Sequence, residues 1–244
     1  QERGGVIWTY MGPGEAPGLP ALIANLLDED DIVASTGFLR DCNWLQALEG
    51  DIDTSHANFL HGGMFGSLGQ KRVPTESPDD PAYYNTTRYG YTEFPFEFEG
   101  SETAWGTMYG GFRAVDDKRN YWRLAQFIFP FWTITPTAPI ETRASLRAWV
   151  PMDDTHVRTF GIAKKGQSAG SAAQPDLYLP NTTDWFGRGR LKQNARNDYM
   201  IDRELQRTRQ LYSGIPGRAT PEDQAVTESM GAISNRPKEH LAIT

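Results

Sequence analysis

The chain has 244 residues, enough to bury a core, and 39% hydrophobic content with 12% aromatics rules out a disordered chain. A net charge of −7 argues against non-specific nucleic-acid binding, which needs a basic footprint. No apolar run approaches the ~18 residues of a membrane-spanning helix, and the single cysteine, Cys42, cannot build a disulfide framework, so a cytoplasmic protein with no membrane association is expected.

The chain opens Gln1-Glu2-Arg3-Gly4-Gly5 without an initiator methionine, which reads as a cut through a longer protein or as a processed or engineered start. Residues 6–11 predict a strand, followed by the Pro/Gly loop "GPGEAPGLP". Residues 39–62 predict a helix, because Leu45, Leu48, Ile52 and Phe59 recur at near-helical spacing and Gly62-Gly63 ends the run. From Tyr83 to Val150 the period changes to two, with aromatic and β-branched residues between turns, which predicts successive antiparallel strands. "VPMDDTHVRTFGIAKK" adds a turn and one more strand, and "GQSAGSAAQPD" is a low-complexity surface loop. Residues 196–212 are polar and helix-permissive. The last helix is expected to begin at Thr220-Pro221 and to run through "EDQAVTESMGAI". Helix, large antiparallel sheet and C-terminal helix together give an α+β domain, and the absence of G-x-G-x-x-G or a P-loop weakens a nucleotide-binding reading.

Two of the four histidines fall in one short segment, Asp53-x-x-His56-x-x-x-x-His61. Positions i and i+5 of a regular helix lie about 140° apart, so the imidazoles converge only if His61 sits where the helix distorts or ends. Two neutral imidazoles with one carboxylate form the facial triad of non-haem Fe(II) oxygenases. The same set suits catalytic zinc, although no general base of the H-E-x-x-H kind accompanies it. A metal-free module binding hydrophobic ligands is the third reading. Phe127, Phe129, Phe131 and Trp132 could line an apolar pocket or simply fill the sheet core. Cys42 reads as a buried filler, His156 as a turn residue and His240 as part of a polar tail.

The run Asn43-Trp44-Leu45-Gln46 through Glu49-Gly50, Asp53, His56 and His61 resembles the mononuclear-iron motif of Rieske-type non-haem iron aromatic-ring oxygenases. It is closest to the phthalate dioxygenase and O-demethylase branch. "ERGGVIWTYMGP", "WVPMDDTHVRTF" and "PEDQAVTESMGAISNRPKEHL" resemble further segments of that branch in the right order, while 65–105 and 166–200 match little. The resemblance implies a helix-grip (START/Bet v 1-like) fold over a single catalytic domain, 1–244. It implies Fe(II) held by His56, His61 and Asp223, with O₂ used to hydroxylate, dihydroxylate or O-demethylate an aromatic substrate. Asp223 is the column it selects for the third ligand. The residues alone leave Glu222 as a competitor, and Thr220-Pro221-Glu222-Asp223 also reads as an ordinary capped helix start.

The resemblance gives Asp53 the bridge by which electrons arrive from a Rieske histidine of a neighbouring subunit, and puts Asn43 near the iron. Asp53 alternatively orients His56, Asn43 alternatively caps a helix, and Glu49-Gly50 serves helix geometry and subunit contact. A Rieske [2Fe-2S] centre needs two cysteines and two histidines, so with Cys42 alone this chain cannot build one. The cluster is expected in a domain not present here. NAD(P)H would act through a separate reductase or ferredoxin, and a homotrimer or hexamer is implied.

Overall fold

The computed structural model describes residues 1–61, 97–136, 143–167 and 175–239. Strand β1 (Glu2–Arg3) pairs with β2 (Val6–Ile7), so the expected strand over 6–11 is reduced to two residues before the Pro/Gly loop. A short helix, α1 (Ile23–Leu26), leads into β3 (Ile32–Arg40). Then come α2 (Trp44–Ile52) and α3 (His56–Leu60). The sheet continues as β4 (Glu97–Thr103), β5 (Gly106–Asp116), β6 (Arg119–Ile128), β7 (Trp132–Ile134), β8 (Ser145–Pro151) and β9 (Val157–Lys164). Helices α4 (Arg203–Arg207) and α5 (Ala219–Ser229) follow.

Strands β3 to β9 form one antiparallel sheet in the order β3-β9-β8-β7-β6-β5-β4. This is the expected α+β arrangement, a large antiparallel sheet with flanking helices. The two faces of the sheet bury different sets of residues. Trp132, Ile134, Leu146 and Ile162 pack with Leu22, Trp8 and the N-terminal segment on one face. Phe38, Trp149 and Val157 pack with Ala47 and Leu48 of α2 on the other. It is the second face that carries the histidines.

The expected helix over 39–62 differs in two places. Its first residues belong to β3, which pairs with β9 through a register shift between Thr36 and Leu39. Gly37 permits that bulge, since a Cβ there would sit 1.8 Å from Thr159 Oγ1. The helix proper starts only where Asn43 Oδ1 accepts from the Leu45 N–H at 3.0 Å, and it stops at Asp53. The Asp53 carboxylate then accepts from Ser55 N, Ser55 Oγ and His56 N, which starts α3 as a new helix. Leu45 and Phe59 face solvent rather than the core. At the C-terminal end α5 begins at Ala219 and stops at Ser229, short of the expected Ile233. Within 196–212 only Arg203–Arg207 is α-helical; Asp198, Tyr199 and Met200 take left-handed backbone angles that end the preceding turn. Gly62-Gly63, the strand expected from Tyr83 as far as Pro95-Phe96, most of the "GQSAGSAAQPD" loop and His240 lie outside the described residues.

Two buried polar residues hold α2 in place. Gln46 donates to the carbonyls of Thr227 and Gly231 and accepts from Ser234 N, tying α2 to the end of α5. Gly50 lets the two helices approach, because a Cβ there would lie 3.3 Å from Thr227 Cγ2. Glu49 pairs with Arg236 at 2.7 Å. Asp51 anchors the end of α2 to the sheet, accepting from Thr133 Oγ1, Trp149 Nε1 and Arg147. Asp51→Ala leaves a partly buried guanidinium without its carboxylate and is expected to cost on the order of 3 kcal/mol, read from the midpoint of urea unfolding. A loss under ~1 kcal/mol would mean the pair acts as a solvated one.

Candidate metal centre

The chain break at Asp53 is what brings the histidines together. His56 opens α3, and His61 ends it with backbone angles of φ −90° and ψ 7°. Their rings sit 5.1 Å apart at 79°, so they converge because His61 leaves helical geometry. Asp223, in the first half of α5, comes from the far end of the sequence and places Oδ1 3.4 Å from His56 Nε2 and 3.2 Å from His61 Nε2. One ligand atom from each of the three lies within 4.8 Å of the others, and among the described residues no other group of His, Cys, Asp and Glu does so.

Each imidazole uses its other nitrogen elsewhere. His56 Nδ1 donates to the Asp53 backbone carbonyl at 2.7 Å, and His61 Nδ1 donates to Glu222 Oε2 at 2.6 Å. Both Nε2 atoms are thereby left facing Asp223, where each can offer a lone pair to a cation that displaces its proton. Glu222 approaches the opposite edge of the His61 ring, so it cannot share a metal bound at Nε2. Of the two neighbouring carboxylates, Asp223 is the one that faces both Nε2 atoms. The donor set is two imidazole nitrogens and one carboxylate oxygen, which fits a borderline divalent transition metal and leaves coordination positions open.

The three groups shift one another's titration. Burial opposes charge on both rings, but hydrogen bonds and attraction from Asp223, with Asp53 for one and Glu222 for the other, outweigh it. His56 is pushed up to about 10 and His61 up to about 9. Burial would raise Asp223, yet the two imidazoles hold it far below the usual carboxylate range. Asp53 is held at about 2 by hydrogen bonds from His56 and Ser55, against its own burial.

A cavity of ≈ 230 Å³ opens beside the cluster. Phe38 from the β3 bulge, Asp51, Arg123, Thr135 and Arg147 line it with the three candidate ligands. Arg147 is committed to Asp51, while Arg123 is buried on β6 with Nη2 3.4 Å from the Pro136 carbonyl. Arg40 lies buried behind the site, its guanidinium 4.8 Å from the Phe38 and Trp149 rings, with Nη1 donating to Thr227 Oγ1 at 3.2 Å.

Other expectations fall elsewhere. Asn43 is placed as the cap of α2, and its Nδ2 donates to the Asp154 carbonyl at 2.9 Å. None of Phe127, Phe129, Phe131 and Trp132 lines this cavity. Phe131 and Trp132 pack on the opposite face of the sheet, Phe127 packs beside α2, and Phe129 is 66% exposed. Cys42 is buried, and burial pushes its thiol up to about 11, away from ligand chemistry. His156 stays in its turn, bonded to Asp153 and Thr155. The sequence reading missed Asp51 and Arg123, and saw Glu222 only as a rival ligand.

A family model described as "LigXa C-terminal domain like" matches residues 9–244. The chain belongs to that family. Among curated relatives of this LigXa C-terminal-like chain is the 3-chlorobenzoate-3,4-dioxygenase oxygenase subunit of Comamonas testosteroni, 38% identical over 100% of the chain and 57% of the relative. The phthalate 4,5-dioxygenase oxygenase subunit of Pseudomonas putida is 27% identical over 99% of the chain and 54% of the relative. The 5,5'-dehydrodivanillate O-demethylase oxygenase subunit of Sphingobium sp. (strain NBRC 103272 / SYK-6) is 28% identical over 65% of the chain and 32% of the relative. These names bear out the oxygenase branch that the sequence segments resemble. The chain spans about half the length of the first two relatives.

Proposed function

We propose that the chain, as a single domain over 1–244, is the catalytic part of a Rieske-type oxygenase. In this reading His56, His61 and Asp223 would hold a mononuclear Fe(II), at which O₂ and supplied electrons would serve to oxidise an aromatic carboxylate. The carrying observation is the convergence of two Nε2 atoms and one carboxylate oxygen, each imidazole fixed through its Nδ1. Bound Fe(II) supplies the O₂ chemistry that protein side chains cannot. The relatives' names support that reading over zinc hydrolysis or metal-free ligand binding.

The protein's own residues then bind and orient. Phe38 and Thr135 shape the cavity beside the cluster, and Arg123 places a buried cation on its wall. All three relatives are named for aromatic carboxylates, and a guanidinium is the side chain best matched to a carboxylate. The Asp53 side chain, 40% exposed, stands at the rim beside His56, where it can meet a partner subunit. We assign it the passage of electrons from a [2Fe-2S] Rieske cluster, supplied in turn by a ferredoxin or a reductase using NAD(P)H. A homotrimer or stacked hexamer in the cytoplasm completes this reading. Among the described residues no helix is long and apolar enough to cross a membrane.

The substrate class is tested by calorimetric binding of a benzoate-type acid and its methyl ester to the Fe(II)-loaded chain under anaerobic conditions. The acid is expected to bind at least ~10-fold tighter, and Arg123→Gln to erase that difference. Equal binding of acid and ester would refute a carboxylate site.

A further inference from the structure

We infer that Glu222, locked by Ser213, is a positioning residue that makes His61 the stronger of the two imidazole ligands. The inference rests on the metal-centre reading above and adds a residue to it. Glu222 is 0% exposed, yet its carboxylate is fully occupied. Oε2 accepts from His61 Nδ1 at 2.6 Å, and Oε1 accepts from Ser213 Oγ. Ser213 Oγ itself accepts from Ile215 N at 3.0 Å, so the serine is held from its other side.

The two histidines are therefore unequal. His56 Nδ1 donates to the Asp53 backbone carbonyl, with the half-exposed Asp53 carboxylate 3.6 Å away, whereas His61 Nδ1 donates directly to a fully buried carboxylate. An anionic acceptor draws the Nδ1 proton and raises electron density at Nε2, which strengthens the bond to a cation. The charges also balance. Asp223 and Glu222 together offset a divalent ion, but Glu222 does so through the His61 ring and takes up no coordination position. Adjacent residues of a helix project about 100° apart, which lets one carboxylate face the cluster while its neighbour passes behind the histidine.

A purely structural role would make Glu222 only an anchor joining α5 to α3 and the Ser213 turn. The two roles part in a Co(II) titration followed by visible absorption, using the unaltered chain, Glu222→Gln and Ser213→Ala. Glutamine keeps an acceptor for Nδ1–H and removes the charge. Glu222→Gln is expected to weaken Co(II) binding roughly 10–100-fold and to shift the absorption bands. Ser213→Ala should move both in the same direction by less. Unchanged affinity and bands in Glu222→Gln, with only its melting temperature lowered, would overturn the inference.

If that variant does not fold, imidazole NMR of the Zn(II)-loaded unaltered chain decides. The His61 Nδ1–H should resonate well downfield of the His56 one, and equal positions would overturn the inference. A chain that takes up neither Co(II) nor Zn(II) overturns the metal centre itself, and this inference with it.

Discussion

Asp223→Ala is expected to weaken divalent-metal binding by more than the roughly 100-fold that loss of an outer partner costs, because it deletes a coordinating atom. Asp223 is also the anion that both Nε2 atoms share. Without it, two imidazoles 5.1 Å apart face each other with no charge between them. Each then gives up much of its raised proton affinity, since hydrogen bonding and attraction to Asp223 are chief among its causes. The variant should fold, because Asp223 packs at a partly open surface while Pro221, Glu222 and Gln224 carry the buried side of α5. Zinc or cobalt titration of variant and unaltered chain measures the effect. Equal affinities would remove Asp223 from the ligand set.

Metal uptake is expected to depend steeply on pH. The metal-free chain holds a proton on each Nε2, His56 at about 10 and His61 at about 9, and a cation must displace both. About two protons should be released per metal bound at neutral pH, so apparent affinity should rise on the order of 100-fold per pH unit between pH 6 and 8. Stability of the metal-free chain moves the other way. Both folded values lie above the ordinary 6.5, so the stabilisation is complete below about 6.5 and is lost as pH rises through 9 to 10. Metal titrations in three buffers, together with urea midpoints of the metal-free chain at the same pH values, test both signs. A pH-independent affinity would mean that the histidines are neutral before the metal arrives.

The sheet could be read from the sequence because antiparallel strands alternate. On β6, Arg123 and Ala125 are buried at every second position, and β9 alternates similarly from Val157 to Phe160 before three buried residues in a row. Strand β3 escaped because Gly37 interrupts "IVASTGFLR". The reason for that glycine is Thr159, on a strand more than a hundred residues later. The helix break at Asp53 did carry a local signal, an aspartate two residues before a serine, but apolar spacing through Ile52 and Phe59 masked it.

The histidine pair was legible for the opposite reason: its spacing is local, and only the helix end had to be supplied. Which acidic residue completes the site depends on how α5 packs against α3, and residue spacing contains none of that. The resemblance selected Asp223, and in the fold Asp223 faces both Nε2 atoms while Glu222 accepts from His61 Nδ1 behind the ring. Arg123 and the aromatic run show the limit of pattern reading. Strand period two fixes alternation but not which face meets the helices, so the pattern could not decide whether the aromatics line a cavity or fill the core, and it gave no sign of Arg123 on the cavity wall.

The most direct measurement is iron content after anaerobic Fe(II) reconstitution and desalting, for the unaltered chain and His56→Ala. About one iron per chain, lost in the variant, is the predicted result. No retained iron in the unaltered chain, or iron retained equally by both, would contradict the metal centre.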